Sequence, residues 1–293
     1  MSIFITGAKG FIGQNLILQC KEKGIDYIAT DVFENSDSNY FQADINSKEI
    51  ESIIPNQCEA IIHLAGLSRD SDCKNNGYEC FSTNVMGTLN LIEAAKVKKV
   101  KQFIFASSEW VYDNFENYHA KDEKSIINIS NLNSEYALSK IVSESNLRQQ
   151  FQHHFCSVTI LRFGIIYGPR DMNWSAVESL FYDVKTKEEV TVGSLKTGRC
   201  FIHVSDIGSG IIQSIGLDGF NTINLQGDKF ITLANIIDTS KEILDRNPKV
   251  TERNPENFSV RLVSNEKAKR LLKWKPEIDL KNGLKTLNNI TKD

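Results

Sequence analysis

Five short runs of nearly continuous apolar residues alternate with helical patterns through the first half of the chain. The runs lie at 3–5, 27–30, 60–64, 102–106 and 158–162. Apolar character without alternation marks strands covered on both faces, and hence a parallel sheet. Between the runs, residues 11–23, 46–54, 75–98 and 134–151 carry apolar side chains three and four apart, the helical period. Alternation of this kind predicts a doubly wound α/β architecture. The 293 residues leave room for a smaller second α/β region after about residue 165. There the pattern loosens, and the polar stretch 247–257, with Pro248 and Pro255, reads as a loop.

Charge and composition narrow the partners. A net charge of −3, and no basic run longer than Lys98-Lys99, provide no electrostatic footprint for nucleic acid. No apolar stretch approaches the length of a membrane span, and Lys9 interrupts the apolar start before a secretion signal can form. Cysteines 20, 58, 73, 80, 156 and 200 form no C-x-x-C pair and read as free thiols of a cytoplasmic protein. The five histidines lack metal-ligand spacing, so no metal is expected, and His153-His154 reads as an exposed helix end.

The first strand runs into Gly7-Ala8-Lys9-Gly10-Phe11-Ile12-Gly13 and then a helix. Glycines three apart let backbone approach a pyrophosphate, whose charge the helix N-terminus favours. Asp31 ends the second strand 18 residues after Gly13, where a ribose-binding carboxylate belongs in a Rossmann-type sheet. A 2′-phosphate 4 Å from that carboxylate is opposed by roughly 4 kcal/mol per unit-charge pair at an effective dielectric of 20. No Lys or Arg follows Asp31 until Lys48, and Lys9 alone is placed to relieve the repulsion, so NAD is expected rather than NADP.

Of the eight tyrosines only Tyr136 has a lysine four residues on, Lys140. On a helix the two share a face. A free phenol, with a pKa near 10, is a poor base at neutral pH. A cation beside it, from Lys140 and from oxidised nicotinamide, stabilises the phenolate. Ser107-Ser108 closes the fourth strand, where a hydroxyl can meet a substrate oxygen.

With these features the chain resembles an extended short-chain dehydrogenase/reductase of the NAD-dependent epimerase/dehydratase family, most of which act on nucleotide sugars. Further motifs carry the resemblance: Ala43-Asp44-Ile45; His63-Leu64-Ala65-Gly66; Thr83-Asn84-Val85-Met86-Gly87-Thr88; Ser107-Ser108-Glu109-Trp110-Val111-Tyr112; 162–170; 199–206; and the ending at 269–276. The resemblance implies a NAD-binding domain over 1–165, with a return segment near 199–225, and a mainly substrate-binding region over 166–293. It implies Ser108 as the catalytic hydroxyl, Tyr136 as acid/base, and Lys140 as its partner and ribose anchor. Gly7, Lys9, Gly10, Phe11, Ile12, Gly13, Asp31, Asp44, Ile45, Leu64, Ala65, Gly66 and Asn84 complete the cofactor set. Arg199 and Arg261 are expected at a substrate diphosphate, Ser68 and Arg69 on the substrate loop. A UDP-sugar substrate is favoured, and a homodimer through 75–98 and 134–151 is implied.

Two departures matter. The family's diphosphate-holding Asn is Ile165 here. Sugar 4,6-dehydratases carry Thr-Asp-Glu before Val-Tyr, where this chain has Ser108-Glu109-Trp110; Glu109 takes the acid's place and Trp110 replaces the base. The expected function is therefore a nucleotide-sugar epimerase working through a 4-keto intermediate, with Glu109 as a candidate second acid/base. A dehydratase and a 4-keto-sugar reductase are the alternatives on the same site, and a non-catalytic nucleotide-binding scaffold is a further one.

Overall fold

The computed structural model describes residues 2–112, 115, 119–172 and 174–288. Its largest element is a seven-stranded sheet. The first half of the chain runs β1 (Ser2–Thr6), α1 (Phe11–Lys23), β2 (Asp26–Asp31), β3 (Tyr40–Gln42), α2 (Ile50–Ile53) and β4 (Ala60–His63). It continues through α3 (Asp70–Cys73), α4 (Gly77–Phe81), a π-helical turn (Ser82–Met86), α5 (Gly87–Val97), β5 (Gln102–Ser108), α6 (Glu135–Gln152) and β6 (Ser157–Phe163). The second half holds β7 (Ile166–Tyr167), α7 (Ala176–Thr186), β8 (Glu189–Val192), β9 (Gly198–Arg199), β10 (Ile202–His203), α8 (Val204–Gln213) and β11 (Phe220–Leu225). It ends with β12 (Ile231–Thr232), α9 (Leu233–Leu244), β13 (Lys249–Glu252), α10 (Glu266–Leu272) and α11 (Leu280–Lys285).

The sheet order is β11-β6-β5-β4-β1-β2-β3. Its strands are parallel, as in Ile5 opposite Ala29 on β2 and Ile62 on β4. The winding direction reverses between β1 and β4, and ligands of such sheets bind beyond the carboxyl ends of those strands. That places the site at Gly7 and at 64–66. One face of the sheet is sealed by Phe4, Ile61, Phe103, Phe105, Val158 and Ile160 against Ile50, Leu91, Ile92 and Leu147.

The chain divides into two units. Unit 1 comprises 1–114, 125–163 and 208–223; unit 2 comprises 115–124, 164–207 and 224–293. Unit 2 has its own core, in which Tyr167, Val177, Phe181, Ile236 and Leu284 are buried together, and three two-stranded sheets. No described helix is long and apolar enough to cross a membrane.

Three expectations are corrected. The helix expected over 46–54 shrinks to Ile50–Ile53, because Asp44 folds the chain into a turn by accepting from Asn46 N at 2.8 Å. The loop expected over 247–257 contains β13, which pairs in parallel with β8 despite its polar residues. The cysteines are not all free: Cys73 and Cys80 form a disulfide, while Cys20, Cys58, Cys156 and Cys200 remain thiols. Seven residues of sequence conceal a Cα separation of 5.1 Å, within bridging range.

Candidate active site

The phosphate loop is built by close backbone approach. Gly7 has φ +72°, and a Cβ there would lie 2.6 Å from Ala65 N. A Cβ on Gly13 would meet the Gly7 carbonyl at 2.2 Å. Gly10 N donates to Gly7 O at 3.0 Å, and Gln14 Nε2 ties back the Lys9 carbonyl at 2.7 Å. Gly10 is the N-cap of α1 and supplies no side-chain cap. A glycine cradle opening onto the positive end of a 13-residue helix fits a pyrophosphate. Phe11 and Ile12 start that helix and are half-buried. Gly7→Ala is expected to cost about 1–3 kcal/mol in backbone strain. A lowered Tm together with weakened NAD binding checks it.

Asp31 holds the loop in place. Its carboxylate accepts from Lys9 N at 2.9 Å and Val32 N at 2.8 Å, which fixes the loop against the end of β2. The remaining lone pairs suit ribose hydroxyls. The Lys9 residue itself is exposed. Asp31→Ala is expected to narrow the preference for NAD over NADP and to weaken both complexes, which binding titrations with the two cofactors measure.

Asp44 is exposed at its turn, whereas Ile45 is buried with its side chain against Gly87 and its carbonyl accepting from Asn90 Nδ2 at 2.7 Å. Leu64, Ala65 and Gly66 are half-buried beyond β4, where Ala65 N donates to Thr6 Oγ1 at 3.2 Å. Asn84 stands in the π-helical turn, a distortion that often marks functional segments. Its side chain accepts from Leu67 N at 2.8 Å and donates to Leu67 O and Ser139 Oγ, both at 3.0 Å. It therefore brackets the loop after β4 to α6.

Tyr136 and Lys140 sit on the buried face of α6, which Ser134 caps by accepting from Ala137 N at 3.2 Å. The Ser134 hydroxyl also donates to Asp70, fastening α3 to the start of α6. Ser108 ends β5, accepts from Trp110 N at 3.2 Å and stands near enough to Tyr136 to draw its phenol down. Burial pushes the Tyr136 phenol up to about 12, and Ser108 pulls it back only in part. Burial pushes the Lys140 ammonium down to about 8, with Glu144 one turn further along α6 opposing it. The Lys140 Nζ lies 4.9 Å above the Phe105 ring and 5.8 Å from the Tyr136 ring centre. The expectation that Lys140 lowers the phenol is corrected: desolvation raises it, and the opposing influence comes from Ser108. The positive charge of bound NAD is the remaining part of that expectation. Glu109 follows Ser108 at 1% exposure, and Trp110 and Leu67 are half-buried beside Tyr136.

Beneath these residues lies a buried polar network that the sequence did not flag. Glu144 accepts from Ser107 Oγ at 2.6 Å and from Arg162 Nε and Nη2 at 3.0 and 2.6 Å. Arg162 Nη1 donates to Tyr112 Oη at 3.0 Å. The only local signal was Glu144 four residues after Lys140. The network locks the end of β5, and so Ser108, against the helix carrying Tyr136. Nearby His63 bridges Thr6 and Thr88 at 2.8 and 2.9 Å, and burial holds it neutral with a pKa of about 3.

Of the residues expected at substrate, Ser68 and Arg69 are exposed in unit 1 after β4. Unit 2 brings Arg199 and Arg261 onto neighbouring segments, where Gly198 bridges Val260 and Arg261 N donates to Gly198 O at 3.4 Å. Arg199 Nη1 donates to the Gly198 and Ser259 carbonyls, both at 2.7 Å, and the Arg261 guanidinium stacks 5.4 Å from the Phe115 ring centre. Both arginines are half-buried, and paired guanidinium groups suit a diphosphate. Ile165 packs against the unit 2 core, as an apolar residue in that position must.

Parallel sheet, glycine cradle, a carboxylate at the end of β2 and the Ser108, Tyr136 and Lys140 cluster together are the features of a dinucleotide-binding fold. The chain belongs to the NAD dependent epimerase/dehydratase family, whose profile matches residues 3–222, and its cofactor is NAD. It is 28% identical to a UDP-glucuronate 4-epimerase of Thermodesulfobacterium geofontis, covering 99% of this chain and 95% of the relative. It is 27% identical to UDP-glucuronic acid decarboxylase 6 of Arabidopsis thaliana, over 97% of this chain and 87% of that one. The Thermotoga maritima UDP-glucose 4-epimerase, solved with UDP-glucose, superposes with a TM-score of 0.85 at 23% identity, covering 98% and 97% of the two chains.

Proposed function

We propose that the protein is a UDP-sugar 4-epimerase, with NAD retained and regenerated in each cycle. The observation that carries this reading is the buried Tyr136 phenol, near Ser108 and set one helical turn from Lys140. Bound NAD supplies reversible two-electron oxidation at the sugar carbon. The chain's residues supply the proton traffic. Tyr136 Oη takes the proton of the 4-hydroxyl and later returns it, while Ser108 Oγ holds both oxygens in line. Lys140, kept as an ammonium, stabilises the phenolate formed in between. Half-buried Leu67 and Trp110 exclude water beside Tyr136. Arg199 and Arg261 are our candidates for the diphosphate, Arg69 for a further anionic group. Unit 1 is the proposed NAD domain and unit 2 the proposed substrate domain.

Trp110, in the position of a dehydratase base, favours epimerisation over dehydration. A second reading rests on Glu109: a buried carboxyl beside Ser108 is placed to act at C5 of a 4-keto sugar, as loss of water or carbon dioxide requires. Incubation with UDP-glucose and UDP-glucuronate, followed by proton NMR, separates the two. A C4 epimer supports the first reading; a deoxy-keto sugar or a pentose replaces it with the second. The reading extends to a homodimer through α5 and α6, which light scattering at micromolar concentration tests.

The same centre has a pH signature. Lys140 must carry its proton, so kcat/KM is expected to fall as pH rises through about 8. Stability runs the other way. The Lys140 pKa in the folded protein lies below its ordinary 10.5, so the unfolded chain binds more protons between the two values. Stability therefore rises with pH across that window, and burying the charged form costs stability below it. Lys140→Met is expected to abolish most turnover while raising Tm, as activity profiles and thermal melts across pH 7–10 will show.

A further inference from the structure

Two of the six cysteines are bonded to each other, and the pattern is not that of a secreted framework. Cys20, Cys58, Cys156 and Cys200 lie outside any disulfide, whereas disulfide-stabilised extracellular domains pair their cysteines throughout. Burial pushes Cys20 and Cys58 to about 11 and Cys156 to about 12, which leaves those three with little thiolate to enter exchange at neutral pH. The bonded pair joins α3, four residues long, to α4, five residues long. Helices of that length do not persist on intrinsic propensity and depend on tethers. Among the tethers here are the Cys73–Cys80 bond, the hydrogen bond from Ser134 to Asp70 and that from Asn84 Nδ2 to Cys80 Sγ at 3.7 Å. Both sulfurs are fully buried, and they pack with Tyr136, Leu67 and Trp110 in one cluster. The disulfide thus forms part of the wall around the tyrosine of the proposed centre.

We propose that Cys73 and Cys80 form a thiol–disulfide exchange site, through which a small disulfide of the glutathione class sets the affinity for substrate beside Tyr136. The effect on affinity rests on the catalytic reading of Tyr136. Local opening of α3 and α4 exposes the reduced pair. One cysteine thiolate attacks glutathione disulfide, forming a mixed disulfide and releasing one glutathione. The second thiolate then attacks the protein sulfur of that mixed disulfide and expels the other glutathione. Two electrons and two protons leave the pair, and two glutathione thiols form. Reduction reverses each step. Ser108 stands on β5, and Tyr136 and Lys140 on α6, so the reacting groups keep their places when the bond opens. What loosens is the wall they face, and substrate binding rather than chemistry carries the loss.

The test equilibrates the holoenzyme in oxidised and in reduced glutathione buffers and counts thiols after an acid quench and denaturation. Four thiols are expected in the first and six in the second. With UDP-glucose or UDP-glucuronate, whichever is turned over, reduction is expected to raise KM about fivefold while kcat changes less than about twofold, the scale of ordering one or two side chains on binding. The double variant C73S/C80S is expected to show the KM of the reduced form in both buffers. Six thiols in the oxidised buffer, or equal KM values in the two forms, overturn the proposal. Hydrogen exchange over residues 67–81 separates it from the catalytic reading. Faster exchange on reduction with no turnover of any sugar nucleotide overturns that reading and leaves the exchange site standing. Equal exchange in both forms overturns the site itself.

Discussion

Tyr136→Phe is expected to lower kcat by about a thousandfold, within the 10²–10⁴ range typical of a lost general acid–base group. The ring stays packed with Leu67, Trp110, Cys73 and Cys80, since only the hydroxyl is removed. Fold, Tm and NAD affinity are therefore expected to change little. Initial rates beside a NAD titration check both halves of the expectation. A variant retaining a tenth or more of the activity shows that another group moves the proton, and reduces Tyr136 to a packing residue. Loss of NAD binding together with activity identifies a structural defect instead.

The second large effect lies behind the centre. Arg162→Met leaves the Glu144 carboxylate buried with Ser107 as its remaining hydrogen-bond donor from that network. Removing one partner of a buried ion pair typically costs about 3–5 kcal/mol, because the other charge is stranded. At about 2–4 °C per kcal/mol for a large domain, Tm is expected to fall by roughly 6–20 °C. The double variant Arg162→Met/Glu144→Leu is expected to recover most of that loss, since well-packed apolar replacement of a buried pair is often neutral. Thermal melts of the single and double variants decide it. A single variant as stable as the native protein shows that the pair contributes nothing, and equal loss in both variants shows that the stranded carboxylate is not its cause.

What could be read in the sequence was what is encoded locally. The apolar runs on β1, β4, β5 and β6 announce buried parallel strands, and glycine spacing announces the turn after β1. Tyr136 and Lys140 meet because four residues make about one helical turn. The unread features are those in which the chain returns to itself. β13 is polar at three of its four residues and becomes a strand only by pairing with β8. Cys73 and Cys80 meet because α3 and α4 fold the intervening segment back. Glu144 and Arg162 are 18 residues apart, and the β5–β6 pairing brings Ser107 opposite Arg162. The π-helical turn at Asn84 was hidden for a different reason: its residues continue a helical apolar pattern, and the widening is set by the bonds of Asn84 to Leu67 and Ser139. Local spacing thus located the proposed reacting groups, while the network that fixes their positions is a tertiary product.

Internal recycling of NAD is the central claim, and counting turnovers per cofactor tests it most directly. Purified protein would be given UDP-glucose or UDP-glucuronate with NAD well below substrate, with product followed by NMR and reduced nicotinamide by absorbance. The account predicts product in large excess over NAD, with no net accumulation of the reduced cofactor. Reduced cofactor building up one-for-one with product would contradict it and make the protein a net dehydrogenase.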